Sequence, residues 1–173
     1  LEPRELSELL VLMERAAALK KPLKAVGAGY AFSNILDTSG LSLGLSQYLN
    51  RILPVDPSSL VDPGASSSLV TFEAGATVGQ LNEYLWRRGQ ALPNQPGYER
   101  LSYVGAMSAG GHGSGSRIGP LAAPVRALHL LTVDAGGHVV QRRIEPTAGI
   151  TDRARFEASR GVELVQNDAM FQA

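Results

Sequence analysis

Five glycines fall within the eleven residues Gly105–Gly115, which read Gly-Ala-Met-Ser-Ala-Gly-Gly-His-Gly-Ser-Gly. Glycine loses more backbone freedom on ordering than any other residue, so a run this dense is costly to fix in place. A segment that only joins two elements would use fewer. Backbone donors packed against a large flat ligand would account for the density. The alternative is a flexible Gly/Ser-rich surface loop. His112 and the apolar stretch before it speak against a plain linker.

A second glycine loop lies upstream, Gly27-Ala-Gly-Tyr-Ala-Phe-Ser33, directly after the short apolar run Leu23–Val26. It is not a dinucleotide fingerprint, because Phe32 stands at the third glycine position and the following residues do not open a helix. The Gly-Lys-Ser/Thr of a nucleoside-triphosphate loop occurs nowhere in the chain. Two readings stand for this loop. It is an ordinary tight turn, or it is a concave nest of successive N–H groups that binds an anion without any lysine.

Composition narrows the setting. With 173 residues the chain has room for one compact domain, or one and a half at most. Hydrophobic residues make up 44% and charged residues 18%, which excludes a disordered tail and a coiled coil and provides for a sizeable core. Sixteen basic residues balance sixteen acidic ones, so no general electrostatic attraction to nucleic acid or anionic membrane is expected. The absence of cysteine excludes disulfides, thiolate catalysis and cysteine-based metal centres. No apolar run approaches the ~20 residues of a membrane span, and the amphipathic start does not read as a secretory signal. The expected location is cytoplasmic.

The periodicities predict a helix over residues 3–20, with Leu6, Leu9, Leu10, Met13 and Ala17 recurring at three- and four-residue steps and Pro22 as its stop. Strands are expected at Leu23–Val26, around Leu41–Leu45, more weakly at Arg51–Val55, and at Leu69–Ala74. Pro54, Pro57, Pro63 and Gly64–Ser68 read as turn and loop. Thr77 opens a second helix with a capping box to Gln80, its face lined by Leu81, Tyr84 and Leu85, and Gly89 closes it. Ser102 is placed to cap a very short helix through Met107. Ala127–Val133 and His138–Ile144 flank Asp134-Ala-Gly-Gly137 as a β-hairpin. The last thirty residues are weakly patterned, ending in a helix over Asp168–Ala173. There is no internal repeat, and the order of elements is α+β rather than a regular βαβ alternation.

Side chains with chemistry are few. His112 lacks partners for a metal, since His129 and His138 fall in the hairpin, and no Gly-x-Ser-x-Gly elbow exists for it to serve as base. It either hydrogen-bonds a ligand or fixes its own loop. Trp86 reads as exposed or interfacial. The Arg87-Arg88 and Arg142-Arg143 pairs read most simply as solvated charges. Glu73 and Glu83 are not paired for acid–base work, and no catalytic residue is assigned.

Taken in order, Val-Gly-Ala-Gly-Tyr-Ala-Phe-Ser at 26–33, Thr38-Ser-Gly-Leu41, Val70–Leu81, Gly89 with Leu92-Pro93 and Pro96, and Gly105–Gly115 resemble the PCMH-type FAD-binding domain of the vanillyl-alcohol oxidase superfamily. The match is best to the sugar-lactone, alditol and sterol oxidase branch and covers most of residues 20–145. The resemblance implies a two-subdomain α+β fold, an N-terminal part of about 1–75 and a second of about 76–173, with FAD extended between them. It implies a diphosphate loop of Gly27, Ala28, Gly29, Tyr30, Ala31, Phe32 and Ser33. Further cofactor-binding residues would be Pro96, Gly97, Gly105, Ala106, Ser108, Ala109, Gly110, His112, Gly113, Ser114 and Gly115.

In many relatives a histidine at the position of Tyr30 anchors the flavin covalently, so here FAD is expected to be non-covalent. The full enzyme would oxidise an alcohol, sugar lactone or sterol by hydride transfer to flavin N5. The chain ends before the family's substrate domain, so its C-terminal part is expected to be missing and the chain alone catalytically incomplete. Two other readings are a truncated, non-catalytic flavin-fold module and a nicotinamide-dependent reductase of cell-wall precursor synthesis. The Gly-Gly-His-Gly-Ser-Gly run favours the oxidase branch over the latter.

Overall fold

The computed structural model describes residues 1–157 and 161–172. Two compact units emerge, and they are interleaved: Leu1–Leu53 with Phe72–Pro124, and Pro54–Thr71 with Val125–Ala173. The expected division was a single cut near residue 75. The chain instead leaves the first unit after Leu53 and returns at Phe72, a long-range pairing that no local pattern announces.

In the first unit, α1 (Leu6–Ala18) sets Leu9 and Leu12 against a buried cluster of Leu43, Leu45 and Leu49, with Leu23 beside them. Each fully buried leucine contributes about 1.5–3 kcal/mol. The helix stops earlier than Pro22. Lys20 is left-handed (φ 51), its N–H donates to the Ala17 carbonyl, and Lys21 N–H donates to the Ala16 carbonyl, a Schellman closure. Strand β1 (Leu23–Val26) pairs in parallel with β2 (Leu41–Gly44), Leu23 opposite Leu41.

Helix α2 (Val78–Trp86) begins as expected. Thr77 Oγ1 accepts from Gln80 N–H and Gln80 Oε1 accepts from Thr77 N–H at 2.9 Å. Leu81 and Leu85 are its buried face, and Gly89 (φ 67) follows its end. Helix α3 (Tyr103–Ser108) follows Ser102, whose side chain makes no capping bond.

Strands β3 (Ile52–Leu53) and β4 (Thr71–Phe72) form a two-residue pair. The longer strand expected over Leu69–Ala74 is cut short on both sides. Leu69 ends a 3-10 turn (Pro63–Ser68), and Gly75 N–H turns back to the Leu49 carbonyl. The proline-rich stretch expected as loop is ordered into two such turns, Pro57–Ser59 and Pro63–Ser68. The carboxylates of Asp56 and Asp62 accept from Ser58 and Gly64 N–H, the usual role of aspartate at a capping position.

In the second unit, β5 (Leu128–Val133) and β6 (Val139–Glu145) form the expected antiparallel hairpin through Asp134–Gly137. The weakly patterned tail supplies elements that the sequence reading missed. These are α4 (Arg153–Glu157) and β7 (Glu163–Gln166), which pairs in parallel with β6. Helix α5 (Asp168–Gln172) follows; Ala173, the last residue of the expected helix, lies outside the described residues.

The core of this unit is Leu60, Ile144, Phe156 and Leu164. It also encloses Glu145, fully buried, whose carboxylate accepts from Arg143 Nε (2.7 Å), Thr151 Oγ1 (2.5 Å), Thr151 N–H (3.1 Å) and Gln166 Nε2 (3.4 Å). Arg143 is therefore no solvated charge. It is the counter-ion of a buried carboxylate and also lies over the Phe156 ring. Its neighbour Arg142 bonds Glu163 across the β6–β7 pair.

Candidate functional site

Both glycine loops belong to the first unit. The upstream loop leaves β1 and runs to a 3-10 turn at Asn34–Leu36. Among the described residues, the N–H groups of residues 28–33 donate no hydrogen bond. They form one unpaired series along a largely exposed segment. Gly27 and Ala28 are half-buried, while Gly29, Tyr30, Ala31, Phe32 and Ser33 are exposed. Phe32 presents its entire ring to solvent. Gly29 sits at φ 76 with open space where a Cβ would project.

The downstream loop grows out of α3. Gly105 and Ala106 lie on that helix, Ser108 ends it, Ala109 caps it, and Gly110 (φ 71) turns the chain away. The loop base is closed by Gly111 N–H on the Ala106 carbonyl (2.8 Å) and Leu121 N–H on the Gly111 carbonyl (2.9 Å). The buried Tyr103 reinforces that closure. Its hydroxyl donates to the Leu121 carbonyl at 2.7 Å, and its ring meets Phe72 edge-on. Burial raises the Tyr103 phenol above its ordinary pKa. Asn94 Nδ2 donates to the Gly119 carbonyl at 3.0 Å, holding the far side. Within this frame the N–H groups of residues 112–117 are again unpaired among the described residues.

His112 is exposed, with Nδ1 2.9 Å from the Gly113 carbonyl. A carbonyl only accepts, so Nδ1 carries the proton in that contact. Ser114 is exposed, and Gly113 and Gly115 are half-buried. No group of histidine and carboxylate side chains among the described residues could hold a metal ion.

Two side-chain ties involve the loops, and the sequence reading gave neither residue this role. The first is Ser102. A Cβ on Gly27 would overlap Ser102 Oγ and lie 2.9 Å from its Cβ, and a Cβ on Gly105 would lie 2.6 Å from the same Oγ. Ser102 thus fills the space that two glycines leave. At Gly27 and Gly105 the close approach is to the chain's own serine. Gly113 is similar, since a Cβ there would overlap Asn94 Oδ1 and lie 2.6 Å from the Gln95 carbonyl.

The second tie is Tyr98. Its hydroxyl donates to the Tyr30 hydroxyl at 2.9 Å, with ring centroids 5.1 Å apart and edge-to-face. That hydrogen bond, with some burial, holds the Tyr98 phenol above its ordinary pKa. Pro96 and Gly97 lie just before Tyr98, half-buried and exposed. Sequence spacing carries no signal for either tie, because each links positions about seventy residues apart. Glu73 is paired with Arg51 at 2.6 Å and Glu83 with Arg87 at 2.5 Å.

The arrangement offers two unpaired series of backbone donors, with Ser102 packed against Gly27 and Gly105 and Tyr98 bonded to Tyr30. Such donors bind an anion through fixed partial charges, without a cationic side chain.

Comparison with known proteins bears on the family of the chain. A family model described as FAD binding domain matches residues 1–142. The L-gulono-1,4-lactone dehydrogenase of Mycobacterium tuberculosis is 33% identical over 138 residues, covering 80% of this chain and 30% of its own length. The L-gulonolactone oxidase of Bos taurus is 30% identical over 154 residues (89% and 32%). The alditol oxidase of a Streptomyces species is 34% identical over 124 residues (70% and 27%). Among solved structures, aclacinomycin oxidoreductase superposes with a TM-score of 0.71 at 19% identity, over 85% of this chain and 28% of its own. Cholesterol oxidase from Brevibacterium sterolicum superposes with a TM-score of 0.65 at 18% identity, over 84% and 29%. The chain spans about a third or less of the length of each of these relatives.

Proposed function

Because the chain belongs to the FAD binding domain family, within the vanillyl-alcohol oxidase superfamily, we propose that it holds FAD non-covalently in a flavin-dependent oxidoreductase. The whole enzyme would act on the CH–OH carbon of a sugar lactone, an alditol or a sterol. The observation that carries this reading is the pair of unpaired N–H series at 28–33 and 112–117. Bound FAD would supply the hydride acceptor, at its N5.

The residues present fit that cofactor. A diphosphate is rich in acceptors and doubly charged, and the 28–33 series offers donors without a competing intrachain partner. The 112–117 series, bare of side chains at Gly113 and Gly115, lets backbone approach a flat ring or a ribityl chain. The fully exposed ring of Phe32 is free to pack on an aromatic ligand. Each N–H given to a charged oxygen contributes about 1.5–3 kcal/mol. Donors already held in place avoid an ordering cost at binding.

Two facts support a non-covalent attachment. Tyr30 stands where the resemblance places an anchoring histidine, and the chain has no cysteine. The chain's own part is to bind and orient the cofactor. No catalytic residue is assigned in it, so the 173-residue chain alone is expected to turn over none of these substrates. The test of attachment is acid denaturation of the flavin-loaded chain followed by filtration. All flavin colour should pass the membrane; colour retained on the polypeptide would refute the non-covalent reading.

A further inference from the structure

The segment Asn94–Tyr98 touches both glycine loops, and all three belong to the first unit. Its start is packed on the downstream loop. Asn94 Nδ2 donates to the Gly119 carbonyl at 3.0 Å, and Asn94 Oδ1 accepts from Gln95 N–H at 3.0 Å. The Asn94 side chain and the Gln95 carbonyl fill the space where a Cβ on Gly113 would lie. Three residues on, the Tyr98 hydroxyl donates to Tyr30, which lies within the upstream series, and the two rings meet edge-on. The residues that follow are anchored as well. The carbonyls of Glu99 and Leu101 accept from Gly79 and Val78 N–H at 2.8 and 2.9 Å. Those two donors belong to the first turn of α2 and have no acceptor inside the helix.

The stretch between the two attachments is short and stiff. The three steps from Gln95 to Tyr98 cover at most about 11 Å. Pro96, within that stretch, has a fixed φ. A displacement of one loop is therefore passed on to the other rather than absorbed between them. We propose that Asn94–Tyr98 is a strap that sets the spacing of the two donor series, and that Tyr98 is a positioning residue for a ligand that spans them. This rests on the reading of the two series as one cofactor site and adds to it a residue outside both loops. The consequence is selective. The Tyr98 hydroxyl matters for FAD, which would engage both series, and not for ADP, whose diphosphate would engage the upstream series alone.

The experiment compares wild type with Tyr98→Phe by calorimetric titration with FAD and with ADP. The variant keeps the ring and loses only the hydroxyl, and circular dichroism checks that it folds. Affinity for FAD should fall about three- to tenfold, the effect of one hydrogen bond, while affinity for ADP changes by less than about twofold. Equal losses for both ligands, or no loss for FAD, would overturn the strap. A second arm needs no flavin. In the ligand-free chain, Tyr30→Phe should shift the Gly113 and Ser114 amide resonances in nitrogen-15 NMR, since the strap joins that hydroxyl to the downstream loop. Amides that stay in place would also overturn the proposal. A wild-type chain that binds no FAD would refute the proposed function instead, and the strap would then stand or fall on those amides.

Discussion

Gly27→Ala tests how the candidate cofactor site is held together. Gly27 does not need a left-handed backbone, so alanine fits its conformation. The whole penalty comes from Ser102. The new Cβ would overlap Ser102 Oγ and lie 2.9 Å from Ser102 Cβ. The hydroxyl can rotate away, but the Ser102 Cβ is fixed to a backbone whose neighbour Tyr103 is buried. The upstream loop must therefore shift. Overpacking of this kind costs about 1–3 kcal/mol. Part of that falls on the position of the 28–33 donors, and a loss of about 1–2 kcal/mol there weakens FAD binding by about 5–30-fold.

Ser102→Gly removes both offending atoms and forfeits no capping bond, since none exists. The double variant should therefore recover most of the lost affinity, with a coupling energy of about 1 kcal/mol or more in the rescuing direction. The assay is equilibrium titration of FAD by flavin fluorescence for wild type, both single variants and the double. Wild-type affinity in Gly27→Ala would refute the reasoning. So would a double variant that binds no better than the worse single.

Other consequences are direct. Glu145→Ala leaves the partly buried Arg143 guanidinium and the buried Thr151 N–H and hydroxyl without their acceptor. Breaking a buried pair in this way costs about 3 kcal/mol or more, seen as a fall of roughly 6–12 °C in Tm by circular dichroism. Burial alone would raise the Glu73 pKa, but hydrogen bonds from the Arg51 side chain and N–H outweigh it and leave the carboxyl below its ordinary value. Because that pKa is lower when folded than when unfolded, its contribution is full above about pH 4.3 and is lost as pH falls through the folded value. Glu73→Gln should flatten the acid limb of Tm against pH, and an unchanged limb would contradict the assignment.

Legibility in the sequence followed the range of the interaction. The capping box of Thr77 and Gln80, the hairpin around Asp134–Gly137 and the strand-to-glycine turn at Val26–Gly27 depend on residues a few positions apart, and the structure has each. The α+β class and the family order of motifs were readable for the same reason. What escaped was non-local. Strand β7 is a short segment that becomes a strand by pairing with β6. Arg143 looks like half of a charged surface pair until Glu145 is seen to be buried beside it. Ser102 was visible as a helix cap, yet its side chain makes no cap and packs against Gly27 and Gly105. The glycines were visible too. That Ser102 and Asn94, rather than a ligand, fill the space beside Gly27, Gly105 and Gly113 follows only from the fold.

The central claim is that the two unpaired N–H series hold FAD. Its most direct test is to mix the purified chain with FAD, remove free ligand by gel filtration and record the visible spectrum of the protein peak, beside the variant Gly29→Val. That substitution places a β-branched residue at φ 76 in the middle of the upstream series. The account predicts one flavin per wild-type chain, and a large loss of flavin from the variant with the far-ultraviolet spectrum of the apo fold retained. A colourless wild-type peak, or a variant that keeps its flavin, would contradict it.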